Sequence, residues 1–277
     1  MTTTTFGGVS TLPASKGSSG FPGALRSEWV KIRSIRSTVW TLAAAIIIAV
    51  GISTLGNWGQ ANHTDLSAAQ LAAKDLTYRS MFGIMLGQLV MVVFGALAIT
   101  SEYATGMIRT SLSAQPRRMN VFWAKFLIVA LVAFVVGEII SFASFLIGAH
   151  FWAAKGVSLT LATHGALQAV IGGGLYLTGA ALLAFGLGAL LRHTAGAITS
   201  GVFLLFVVTI IVNFMPDSWQ GDIDKWLPAN AGSQVWATQH TADVGTALGA
   251  WSGFGVYMIY AAVAIIIGAI SFKKRDA

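Results

Sequence analysis

Long apolar runs alternate with short polar connections along most of this chain. A helix that crosses a hydrocarbon layer needs roughly 20 mostly apolar residues at 1.5 Å rise each. Six segments reach that length, at about 38–56, 81–100, 121–149, 166–191, 194–214 and 253–272. The third is long enough to tilt or to project beyond a bilayer. Only Arg192 and His193 separate the fourth and fifth, which predicts a tight helical hairpin. The pattern predicts an all-α integral membrane protein with six transmembrane helices.

Two polar segments beside these runs carry a helical period of their own. In 24–37, ALRSEWVKIRSIRS, the residues Leu25, Trp29 and Ile32, continued by Val39, fall on one face at 3.6 residues per turn. Glu28 and Arg36 lie near that stripe and need a partner or a snorkelling geometry. Lys31 and Arg33 lie off it, where anionic headgroups would meet them. A basic flank that merely orients the first span would also account for this segment.

In 101–115, Glu102 and Arg109 share a face at i, i+7, and Tyr103 and Met107 pair at i, i+4. Pro116 ends that helix, and Arg117 and Arg118 follow at the next boundary. A plain connection needs only a few turn residues. A two-turn amphipathic surface therefore reads as a docking element for a soluble partner.

Composition sharpens the class. Of 277 residues, 55% are hydrophobic and 10% are charged, whereas soluble domains average about 25% charged. There is no cysteine, which excludes disulfides, thiol nucleophiles and Cys-ligated metals. The net charge of +7 reads as loop orientation rather than nucleic-acid binding, because no basic cluster is interleaved with stacking aromatics. With both termini cytoplasmic, the inner side holds 13 of the 17 Lys and Arg residues, as the positive-inside rule requires. The outer side then carries Asp65, Asp75, Asp217, Asp222, Asp224 and Asp243. Its largest loop, 215–252, holds Trp219, Trp226, Trp236 and Trp251 and should form short helices on or dipping into the outer surface. Residues 1–22 read as a disordered cytoplasmic tail rather than a signal peptide, leaving 23–277 as the membrane domain.

The stretches SEWVKIRSIRSTVWTL and ITSEYATGMIRTSLSAQPRRMNVFWAKF resemble the permease subunits of bacterial ABC-2-type ABC transporters. The matching positions are Ser27, Glu28, Trp29, Lys31, Arg33 and Arg36, then Glu102, Tyr103, Gly106, Arg109, Pro116, Arg117, Arg118, Ala124 and Lys125. Met107 departs from the pattern, where Thr is common. With the six-span plan and the larger last outer loop, the resemblance covers nearly the whole chain. It implies an elbow helix at 24–37 and, at 101–115, a cytoplasmic coupling helix seated in a separate ATP-hydrolysing subunit. Glu102 and Arg109 would be contacts between subunits. It also implies a second permease subunit, export of an amphipathic cargo, and ATP with Mg bound by the partner. No G-x-x-x-x-G-K-[ST] loop occurs here to cradle nucleotide phosphates, so the chain is expected not to be an enzyme by itself.

Glu138 is the one acidic residue deep in an apolar run, about 16 Å from the outer end of its helix; Gln88 lies at roughly 10 Å depth on the neighbouring span. The two are placed to hydrogen-bond. An intramembrane carboxylate faces the bundle interior or a wet cavity, and either a helix-tying or a substrate- or ion-binding role fits Glu138. Gly83 and Gly87, Gly249 and Gly253, and the run Gly172–Gly174 that interrupts the fourth span are read as close helix packing. The five His residues show no ligand spacing, so no metal is expected. Two rival readings stay open: an ion-coupled secondary transporter working through Glu138, and a non-transporting membrane anchor or self-protection protein.

Overall fold

The computed structural model describes residues 20–108, 118–216, 223–238 and 248–274, and among these every regular element is helical. Six helices are long and apolar enough to cross a membrane, so the chain is a multi-pass membrane protein. They are α2 (Arg36–His63), α5 (Ile84–Ala104), α6 (Arg118–Ala153), α7 (Ala166–Leu191), α8 (Thr194–Val212) and α10 (Ala250–Lys274). Shorter pieces complete the fold: α1 (Phe21–Ser34), α3 (Ala68–Ala72), α4 (Leu76–Ser80) and α9 (Pro228–Ser233).

The centre of the bundle is α7, packed by α5, α6, α8 and α10. Small residues make this possible. A methyl group added at Gly95 would strike the backbone of Ala181, and one at Gly186 the backbone of Ala264. Without a hydrophobic drive between helices in lipid, such close approach supplies the packing contacts. The run Gly172–Gly174 does not interrupt the fourth span: α7 is continuous, and each of the three glycines admits a different neighbour, Val235, Ser141 and Glu138. Gly83 and Gly87 let α5 lie against Ala49 of α2.

Two ends can be distinguished. At one, α7 turns into α8 through Arg192 in a left-handed conformation (φ +55°) and His193, whose side chain accepts from Gly196 N–H as the helix cap. The predicted hairpin is present. Arg192 holds its strained backbone by donating to the Ser271 carbonyl at 3.0 Å, and its guanidinium stands 5.0 Å from the Tyr103 ring centre. At the other end, 228–236 folds inward, burying Pro228, Ala231, Gly232, Val235 and Trp236. The short helix α9 lies in this segment, and Trp226 and Trp251 are exposed.

Several boundaries differ from the expectation. The amphipathic helix runs Phe21–Ser34 rather than 24–37, with Pro22 in its first turn, so the tail expected over 1–22 yields its last two residues to α1. Ile35 is extended and separates α1 from α2. Nor is there one helix over 101–115: Ser101–Ala104 are the last turn of α5, which ends at Thr105 and at Gly106 with φ +71°. Glycine suits that left-handed exit because it has no Cβ to clash.

Candidate functional site

The apolar stripe expected on α1 is rotated. Ala24 and Glu28 are buried, whereas Trp29 and Val30 look outward. Glu28 is only 3% exposed, and an isolated buried carboxylate would carry a heavy desolvation penalty. The partner it needs comes from α6: Lys125 Nζ donates to Glu28 Oε2 at 2.5 Å and to Glu102 Oε1 at 2.9 Å. Lys31 Nζ donates to Glu28 Oε1 and to the same Glu102 Oε1, both at 2.7 Å. Two carboxylates and two ammonium groups thus alternate around a closed ring, and their formal charges cancel.

The ring joins three elements. Glu28 and Lys31 project from α1 at i, i+3, Glu102 from the last turn of α5, and Lys125 from the second turn of α6. Lys31 is the member nearest water, its side chain 23% exposed against 7% for Lys125. Burial alone would lower the Lys31 pKa, but the Glu28 and Glu102 carboxylates beside it outweigh burial and hold it above the usual lysine range. Glu102 Oε2 is buried without a hydrogen-bond partner.

This arrangement regroups residues that the sequence assigned to separate roles. Glu102 faces into the bundle, where its carboxylate meets Lys31 and Lys125. Tyr103 is half-buried beneath Arg192, and Met107 lies beyond the break at Gly106, largely exposed. Arg33 and Arg36 are exposed, Arg36 as the first residue of α2, and Arg118 opens α6. Arg109, Pro116 and Arg117 lie outside the described residues. Lys125 is the member that sequence reading did not single out beyond the motif, although a lysine inside an apolar run was itself the signal.

A cavity of about 340 Å³ adjoins the ring. Its walls come from Ile32 and Ile35 at the α1–α2 break, Thr38 and Thr41 of α2, Phe94 and Leu97 of α5, and Val129 of α6, with all four ring residues also lining it.

The expected Glu138–Gln88 hydrogen bond is absent. Gln88 Oε1 instead accepts from the Tyr176 hydroxyl at 2.5 Å, which satisfies both groups inside the bundle. Glu138 leans on Gly174, and both of its carboxylate oxygens are buried without a partner. Gly137 and Gly174 bring the α6 and α7 backbones close together, and the Glu138 carboxyl group packs against Gly174.

At the opposite end a second polar contact closes the fold. Asp75, the N-cap of α4, accepts from Thr238 N at 2.7 Å, from Thr238 Oγ1 at 2.5 Å and from Tyr78 N at 2.9 Å. Tyr78 stacks on Trp236 with ring centres 4.2 Å apart. Burial, and after it the Asp75 carboxylate, push the Tyr78 phenol above its usual pKa.

Residues 45–277 match the family described as protein of unknown function (DUF2705), and no curated protein matches the chain. The match spans most of the chain, which therefore belongs to that family.

Proposed function

We propose that this member of the DUF2705 family is the transmembrane permease subunit of an ATP-driven ABC exporter in the cell (plasma or inner) membrane. Both termini and the ring of Glu28, Lys31, Glu102 and Lys125 would face the cytoplasm. In this reading α1 is the elbow helix, and the connection from Glu102 to Arg118 meets a cytoplasmic ATP-binding subunit. The observation that carries the proposal is the ring itself, because it ties α1, α5 and α6 together where that connection departs. A push on the connection then moves three elements together rather than bending one loop. The sequence resemblance in both segments and the excess of basic residues at this end support the same reading.

In this reading the mechanism is a mechanical relay. Nucleotide binding closes a pair of ATPase subunits, and the closure displaces the 105–117 connection. The buried ring transmits the displacement to α5 and α6, whose neighbour α7 forms the bundle centre. ATP and Mg stay on the partner, and this chain contributes no catalytic group. A second permease subunit, identical or related, completes the path, and the cargo is an amphipathic small molecule, peptide or lipid-like compound.

Co-purification with an ATP-binding subunit encoded beside it, with hydrolysis stimulated by cargo, tests the proposal. Arg109→Glu should preserve the fold and abolish the stimulation. Glu102→Lys should also abolish the stimulation, but with a loss of stability and a loosened α1, because it breaks the buried ring. Unchanged stimulation in both variants, or a complete assembly without any ATPase, would overturn the reading.

Glu138 favours a second reading, an ion-coupled carrier, because an unpartnered carboxyl group within a span invites a functional role. Transport that follows an ion gradient and disappears in Glu138→Gln would select it over the first.

A further inference from the structure

The cavity beside the ring has a chemistry that the coupling role does not use. Its volume of about 340 Å³ falls within the range of roughly 300–1,000 Å³ typical of small-molecule sites. The walls are mainly apolar: Ile32, Ile35, Phe94, Leu97, Ala98 and Val129. The four ring charges on its floor cancel one another, so they select no sign of charge in a ligand.

The mouth is different. The extended Ile35 interrupts the helix there, and α2 starts afresh with no side-chain cap. Ser37 and Thr38 of its first turn line the cavity. Arg33 and Arg36, sequence neighbours of lining residues, are exposed, and neither forms an ion pair among the described residues. Trp40 is 72% exposed and Val39 is 50% exposed just beyond, so no other described part of this chain covers α2 there. A Trp next to arginines is the side-chain composition of a membrane–water boundary.

We propose that this cavity is a binding site for one anionic phospholipid. An acyl chain occupies the apolar space between α2, α5 and α6, and the phosphate lies at Arg33, Arg36 and the uncapped first turn of α2. Anionic groups are favoured there by the two guanidinium groups and by the dipole of a long helix, whose Thr38 and Val39 N–H groups already donate to the Ile35 carbonyl. The bound lipid would fill the space between the α1–α2 break and the bundle, wedged against the ring. This site depends on the chain spanning a membrane and not on any ATPase partner, so the two proposals fail separately.

The test uses the full chain in nanodiscs of equal parts phosphatidylglycerol and phosphatidylcholine, with native mass spectrometry counting the lipids retained after release. The wild type should keep one lipid and prefer phosphatidylglycerol. Arg33→Gln/Arg36→Gln, altered only at exposed positions, should lower that preference about thirtyfold. Ala98→Trp, which fills the cavity without touching a charge, should lose either lipid while its helical circular dichroism persists. If that variant does not fold, the double arginine variant decides alone. Excess inorganic phosphate should not displace the lipid. Equal retention of the two lipids by the wild type, an unaltered preference in the double variant, or displacement by phosphate would each overturn the proposal.

Discussion

Lys125 stands where a lysine has to be explained. Its side chain is 7% exposed, it lies in a helix that crosses the membrane, and it is held by two carboxylates from different elements. Removing one member of such a buried set leaves the others uncompensated, at a cost of about 3–5 kcal/mol. Lys125→Met should therefore lower the thermal unfolding midpoint in detergent markedly. Glu28→Gln added to it should restore much of the loss, since Lys31 and Glu102 can still pair; an additive double variant would show the ring to be energetically unimportant. Lys31, the outermost member, makes the ring sensitive to alkali. Its pKa in the folded chain is raised above the usual value of 10.5. Its contribution is thus complete below that pH and is lost as pH rises through the higher folded value. Alkaline loosening of α1, followed by the exposed Trp29 fluorescence, should vanish in Lys31→Gln. At this scale Glu28 was legible as a residue in want of a partner, since a carboxylate near an apolar stripe has to be satisfied. Lys125 as that partner was not, because 97 residues separate them and one-dimensional periodicity contains no such distance.

Element boundaries depend on two local breaks, Ile35 and Gly106. Gly106 was readable in principle as a helix terminator, yet the charged periodicity over 101–115 favoured an unbroken helix, and the span claimed its last turn instead. No local residue explains the break at Ile35. Its extended backbone (φ −82°, ψ 107°) lets α1 leave the axis of α2 and bring Glu28 to the ring, a tertiary requirement. Between elements, α7 depends on missing side chains. Gly95→Val would force a branched side chain against the Ala181 backbone, and overpacking of this kind costs about 1–3 kcal/mol. The expected outcome is a lower unfolding midpoint with α5 displaced from α7, and an unchanged midpoint would deny the close crossing. At the far end, Asp75→Asn weakens an acceptor that holds both the N–H and the hydroxyl of Thr238. Hydrogen bonds to charged groups are worth about 1.5–3 kcal/mol. Hydrogen exchange should therefore rise across 228–238 in this variant while α7 stays protected.

For the molecule as a whole, orientation is the decisive prediction, and the absence of native cysteine makes it simple to measure. A single cysteine placed at Thr105 should react only with reagent on the cytoplasmic side, and one at Thr160 only from outside. The reverse result would invert the proposed topology and remove the ring from reach of any cytoplasmic ATPase. Six spans, the hairpin at Arg192–His193 and a short helix within 215–252 were legible because each is a local matter of length, hydropathy or turn chemistry. In the same way the sequence alone determined that the chain lives in a membrane, since its charged residues are too few to cover a surface facing water. Only the tertiary structure decided that α7 is the centre, that Gln88 satisfies Tyr176 rather than Glu138, and that four charges from α1, α5 and α6 close a ring beside a cavity. Those outcomes depend on which helices lie side by side, and in lipid that choice is made by shape and by the pairing of a few polar groups, neither of which hydropathy records.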